Sequence, residues 1–204
     1  MTAPLPASRD EAAALLLEVL GASCPTGAAR LIGSMGVPGA ADAWSDIDLR
    51  WTVGPEGAED ALRSLRPTLE RVGTVESLRV DPEPRADLRL VFVRFQGWPL
   101  WWRVDLEVHG QGLGSVDVPD ADPWSPGESA CMGVVVTLKT LARQRPADAE
   151  EQLAHAAARV GTTVVAGPWT VRVGSLLDEV AARSPGTADL VARTRRLARE
   201  VLGA

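Results

Sequence analysis

The chain has 204 residues, 46% of them hydrophobic and 24% charged, which is enough apolar material for one full core or two small packed ones. Its formal charge of -6 leaves no basic surplus to neutralise a long nucleic acid or an anionic membrane surface, and two distant cysteines, Cys24 and Cys131, suggest neither a disulfide framework nor a thiolate zinc site. No apolar run approaches membrane-spanning length and the start lacks a basic, cleavable leader, so a reducing cytoplasm is the expected compartment.

In chain order, Asp10 to Leu20 sets apolar residues on one side and Glu11 and Glu18 on another, which predicts a capped amphipathic helix stopping at Gly21. Ala28 to Ile32 and Ile47 to Val53 read as two strands joined by an irregular loop rich in Gly, Pro and Ala. Gly57 to Val72 returns to helical spacing. Thr74 to Val80, Leu88 to Phe95 and Leu100 to Val108 are three further strands, with Gly97 and Pro99 in the last turn. The pattern then changes through Gln111 to Gly127, a stretch rich in Gly, Pro and Asp. Beyond it Glu128 to Arg143, Ala147 to Val160, Leu176 to Ala182 and Thr187 to Leu202 are helical, interrupted by Gly161, Pro168, Pro185 and Gly186. The predicted architecture is α/β (α+β), with a mixed-sheet domain over 1–120 and a helical bundle over 121–204.

Three pieces of this pattern carry chemistry. In Ser45-Asp46-Ile47-Asp48-Leu49 the acids sit two apart on a strand, so both project to one side while Ile47 and Leu49 face the core. Their repulsion is tolerable beside a divalent cation, and oxygen-only ligation suits magnesium better than zinc; the plainer alternative is a strand that begins at Asp46 with Asp48 in solvent. Ile32 runs directly into Gly33-Ser34, where backbone can approach a ligand and offer amide and hydroxyl donors to phosphate, or where a strand simply ends. In Arg103-Val104-Asp105-Leu106-Glu107-Val108 the apolar residues share one face and the charged residues the other, a pattern equally suited to a solvated sheet surface.

Taken together, Ile32-Gly33-Ser34, eleven intervening residues and Asp46-Ile47-Asp48-Leu49 resemble the signature of the DNA polymerase beta-like nucleotidyltransferase superfamily, with Asp105 in the place of its third acid. In size and layout the chain is similar to small bacterial enzymes of the aminoglycoside nucleotidyltransferase type. The motifs span roughly the first 110 residues, and the helical remainder matches in kind only. The resemblance implies a nucleotidyltransferase catalytic domain in which Asp46, Asp48 and Asp105 hold two Mg2+ ions and are catalytic, while Gly33 and Ser34 bind the phosphates of a nucleoside triphosphate, by default ATP. AMP would pass to a hydroxyl of a small molecule such as an aminoglycoside-like antibiotic, conferring resistance. Competing expectations are a nucleotidyltransferase that neutralises a toxin partner, whose usual chain is shorter, and a non-catalytic nucleotide-binding protein of the same fold.

Other candidates rest on the residues alone. Lys139 is the one lysine in a chain that otherwise uses arginine, and it shares a helix face with Glu128, Met132 and Val135, which makes it a candidate phosphate contact or else a surface lysine. Glu107 and Trp102 are candidate acceptor contacts. Glu107, Asp42 and the loop through Asp117, Asp120 and Asp122 would give a cationic acceptor a negative field. Trp98, Trp101, Trp102, Trp124 and Trp44 suit packing first and stacking on a ligand second. His109 and His155 suggest no metal or catalytic pair. Thr187 to Leu202 is amphipathic enough for a homodimer interface or for an intramolecular cover.

Overall fold

The computed structural model describes residues 5–54, 57–83 and 85–203. The chain divides into two compact units between Trp124 and Ser125, against an expected break at 120/121. The outermost residues of the expected domains, 1–4 and 204, lie outside the described residues. Among the described residues the protein is mixed α/β, with one five-stranded mixed sheet and seven α-helices, the last four of them in a helical C-terminal part.

In the first unit, helix α1 (Arg9–Ser23) begins where Ser8 Oγ accepts from the Glu11 amide at 3.1 Å, pairing one of the N–H groups that a helix start leaves over. Strands β1 (Ala28–Leu31), β2 (Ile47–Thr52), β3 (Val75–Val80), β4 (Leu88–Phe95) and β5 (Val104–His109) form the sheet in the order β1-β2-β5-β4-β3. The β2 and β5 strands are parallel and every other neighbouring pair is antiparallel. Period-two alternation sorts the residues. Ile47, Leu49 and Trp51 of β2 and Val104, Leu106 and Val108 of β5 are buried in a core with Leu16 and Leu20 of α1 and with Leu62, Leu65 and Leu69. The opposite face carries Asp48 and Arg50, Asp105, Glu107 and His109, Phe92 and Arg79, aligned by the strand register.

Three predicted elements differ here. Helix α1 does not stop at Gly21 but runs through it to Ser23. Gly57 to Val72 is not one helix but two short ones, α2 (Ala58–Arg63) and α3 (Leu65–Leu69), broken at Ser64. The cause is Pro67, which has no N–H for the Arg63 carbonyl and whose ring crowds it. The strand expected from Leu100 starts only at Val104, because the Trp102 amide folds back on the Pro99 carbonyl at 3.0 Å and holds the chain in a turn.

The second unit comprises α4 (Pro126–Ala142), α5 (Pro146–Arg159), α6 (Trp169–Arg183) and α7 (Ala188–Leu202), with α4 packed on the other three. Ser125 caps α4 by accepting from the Glu128 amide at 3.2 Å, and Pro126 fills its first turn. Gly133 brings α4 against α5, since a Cβ there would lie 2.7 Å from the Ala156 methyl. Helix α6 starts at Trp169, well ahead of the expected Leu176, because Pro168 starts the turn and Val173, Leu176, Leu177 and Val180 form one buried stripe through Gly174. Lys139 is 2% exposed on α4, beside buried Met132 and Val135, so the expectation of a surface lysine does not hold. Among the described residues no helix is long and apolar enough to cross a membrane.

Candidate active site

Strand β1 continues one residue as extended chain, the Ile32 amide donating to the Asp48 carbonyl at 2.9 Å, and then breaks into a single 3-10 turn, Gly33–Gly36. Gly33 has φ +57, and a Cβ on it would lie 2.1 Å from Asp48 Oδ2 and 3.0 Å from Asp48 Cγ. No larger residue fits without moving that carboxylate. The Gly36 amide donates to the Ile32 carbonyl at 3.0 Å, while the Gly33 and Ser34 amides, as the first of a helical turn, have no carbonyl behind them within it. The Gly-Ser turn and the acid pair, eleven residues apart in the chain, are therefore in contact.

The third acid joins them through strand pairing. Asp48 on β2 and Asp105 on β5 are register partners on adjacent parallel strands, with their side chains on the same face. Asp46, one residue before β2, reaches the same place, as its interaction with Arg103 shows. Arg103 Nη2 lies 2.6 Å from Asp105 Oδ2 and 3.8 Å from Asp46 Oδ2. Burial alone would lower the Arg103 pKa, but the charge of Asp105 and Asp46, the hydrogen bond to Asp105 and the charge of Asp48 together raise it above its ordinary value. Arg103 is thus a permanent cation among three acids. It was legible in the sequence only as one charge on the polar face of a strand, and its role went unread because it depends on β2 lying alongside β5.

The remaining candidates divide. Glu107, one step further along β5, accepts from Arg50 Nε at 2.8 Å and lies 3.0 Å from His109 Nε2. Desolvation would raise its carboxyl, yet the hydrogen bonds and charges of His109 and Arg50 outweigh it and hold the pKa below its ordinary value. Trp102 packs edge-on to Trp98 at 6.1 Å, and Trp98 stacks on Phe95 at 4.2 Å, so Trp98 and Phe95 lie in the apolar core and the partly buried Trp102 packs against it. Lys139 is carried by the second unit.

Several acids expected to supply a negative field serve the fold. Asp42 Oδ1 accepts from the Trp44 amide at 2.9 Å and Ser45 Oγ at 3.0 Å, while Arg9 Nη1 donates to the carbonyls of Asp42 and Ser45, which ties down the loop ahead of Asp46. Asp122 Oδ2 accepts from the Leu78 amide at 2.7 Å and from Arg66 at 3.0 Å, covering the edge of β3.

Aromatic residues neighbour the acids in the chain and across the sheet. Trp44 and Trp101 meet edge-on at 6.1 Å, and each lies two residues ahead of a charged site residue, Asp46 or Arg103. Across the sheet Asp105 is the register partner of Phe92, which meets the half-exposed Trp124 at 6.1 Å, with the Arg79 guanidinium 5.4 Å from the Trp124 ring centre. Phe92 was not anticipated. Its only signal was strand alternation, which cannot name the strand it pairs with.

Among the described residues no three His, Cys, Asp or Glu side chains are gathered as a ready ligand set. The donors at Asp46, Asp48 and Asp105 are nevertheless all carboxylate oxygens, the kind that magnesium takes, and a guanidinium already occupies the space between two of them. Their chemistry fits a divalent cation. No family model matches the chain, and neither a curated protein nor a solved structure does.

Proposed function

We propose that this chain is a metal-dependent nucleotidyltransferase, moving a nucleoside monophosphate, by default AMP from ATP, to a hydroxyl of a small acceptor. One observation carries the reading: the Gly33 backbone lies against the Asp48 carboxylate, and Asp48 is the cross-strand partner of Asp105. Three motifs distant in sequence therefore meet on one polar sheet face. This meeting of a left-handed glycine with two paired acids is what favours a shared site over a solvated strand face.

On this reading Asp46, Asp48 and Asp105 would hold the Mg2+ ions, Asp46 and Asp48 serving the triphosphate and Asp105 the acceptor. Such ions, when bound, would supply charge neutralisation for the attacking and leaving oxygens. Gly33 and Ser34 offer amides and a hydroxyl to the phosphates. Asp105 takes the proton from the acceptor hydroxyl as that oxygen bonds to the α-phosphorus and the bond to pyrophosphate breaks. An amino-sugar acceptor follows from the resemblance alone, because Glu107, Asp42 and Asp122 already have cationic or backbone partners.

A competing reading, a non-catalytic nucleotide-binding protein, draws on Arg103 standing among the acids. Thermal unfolding of the wild type and Asp46→Asn with each nucleoside triphosphate, with and without magnesium, separates the two. A triphosphate that stabilises only the wild type, and only with magnesium, is the expected result. Stabilisation that ignores both magnesium and Asp46 would favour the non-catalytic protein.

A further inference from the structure

The sheet places a cation of its own where the proposed chemistry needs another. Arg103 and Asp105 stand two apart and so lie on the same side of the chain, and Asp46 joins them because the Ile47 amide donates to the Arg103 carbonyl at 2.8 Å. One nitrogen of Arg103 lies 2.6 Å from an Asp105 oxygen and 3.8 Å from an Asp46 oxygen, and the Arg103, Asp46 and Asp105 side chains are each only about a fifth exposed, at 22%, 21% and 17%. We propose that Arg103 is the resident counter-ion of this site, holding the carboxylates together before a divalent cation binds and competing with that cation for Asp46 and Asp105. The inference rests on the nucleotidyltransferase reading.

The chemistry of the partners decides who yields. A guanidinium spreads one charge over a planar fork and satisfies carboxylates by hydrogen bonds. A divalent ion brings twice the charge to a point and binds the same oxygens directly. Arg103 must give up its contact with Asp105 for that oxygen to bind metal. It thereby tunes affinity downward, so that metal enters effectively with the triphosphate, whose own negative charge offsets the guanidinium.

The test is Mn2+ binding, as a magnesium surrogate, measured calorimetrically without nucleotide on the full chain as wild type, Arg103→Gln and Arg103→Lys, with the fold of each checked by circular dichroism. Arg103→Gln is expected to bind Mn2+ at least tenfold more tightly than the wild type and to have a lower melting temperature without metal, recovered on adding Mn2+. Arg103→Lys, which keeps a charge but offers fewer donors, should fall between them. Should Arg103→Gln not fold without metal, severalfold tighter binding by Arg103→Lys carries the inference. Equal affinity in the wild type and the folded variants overturns the counter-ion role while leaving the metal site of the proposed function standing. Absence of Mn2+ binding in every variant, Asp46→Asn included, removes the metal site itself and the inference with it.

Discussion

The α-carbon of Gly33 is pressed so closely on the carboxylate of Asp48 that a methyl group there would come within 2.1 Å of Oδ2. Gly33→Ala is therefore expected to cost in two ways. The left-handed backbone at φ +57 becomes strained, worth roughly 1–3 kcal/mol, and Asp48 must rotate out of its position. Urea unfolding should register the first cost. Loss of magnesium-dependent stabilisation by triphosphate should register the second, and a variant that binds triphosphate as the wild type does would separate this contact from the site.

Asp105 and Asp48 are paired across the sheet but have different proposed tasks, so their amide variants should differ. Asp105→Asn removes the acceptor-side proton acceptor and is expected to reduce transfer by a factor of about 100 or more, while triphosphate still stabilises the protein. Asp48→Asn should lose both transfer and that stabilisation. Turnover by either variant within a few-fold of the wild type would remove that residue from its role.

Local pattern made much of this readable. Alternation in Arg103–Val108 revealed which side chains share a face, and the acid pair with the Gly-Ser turn suggested a triphosphate site before any geometry was known. What stayed hidden depends on pairing between strands. Neither the placement of Arg103 between Asp46 and Asp105 nor that of Phe92 beside Asp105 follows from spacing, since each requires the order β2-β5-β4. Pro67 was a missed local signal, for a proline inside a helical run predicts the break at Ser64. Trp102 illustrates the opposite problem. A tryptophan beside an acid strand suits a ligand or a core equally well, and spacing does not show that one edge of Trp102 packs on Trp98 while the ring stays partly exposed.

That contact gives Trp102 a measurable share in stability. Trp102→Ala should destabilise the first unit by about 2–4 kcal/mol, toward the lower end of large-to-small aromatic losses because the ring is only partly buried. Affinity for triphosphate in the folded fraction should be unchanged. Selective loss of acceptor binding at wild-type stability would return Trp102 to the acceptor pocket.

Helix α4 ends in an arrangement that normally belongs to glycine. The Gln144 amide donates to the Leu141 carbonyl at 2.8 Å and the Arg145 amide to the Thr140 carbonyl at 3.1 Å, with Gln144 at φ 59. Helix α5 closes in the same way with Gly161 at φ 67. Gln144→Gly relieves the steric cost of the left-handed residue but adds backbone freedom to the unfolded chain, so a net gain of about 0.5–1 kcal/mol is expected. A shift of the chemical denaturation midpoint to higher denaturant, with an unchanged slope, is the measurement.

The α5 and α6 helices are tied by Glu150 and Arg172, which hydrogen-bond through both carboxylate oxygens, while Arg172 also lies 4.4 Å over the Trp169 ring. Its hydrogen bond to Arg172 is the main reason the Glu150 carboxyl lies below its ordinary 4.5. A depressed native pKa means that the unfolded chain takes up the proton first, so the stabilisation is complete above 4.5 and is lost as pH falls through the lower native value. Glu150 is half-exposed, which keeps the contribution at or below about 1 kcal/mol near neutral pH. Glu150→Gln should accordingly be less stable than the wild type at pH 7, with the difference closing as the solution is acidified below 4.5. A difference that persists unchanged into strong acid would mean that the helices are held by the Glu150 side-chain packing and not by its charge.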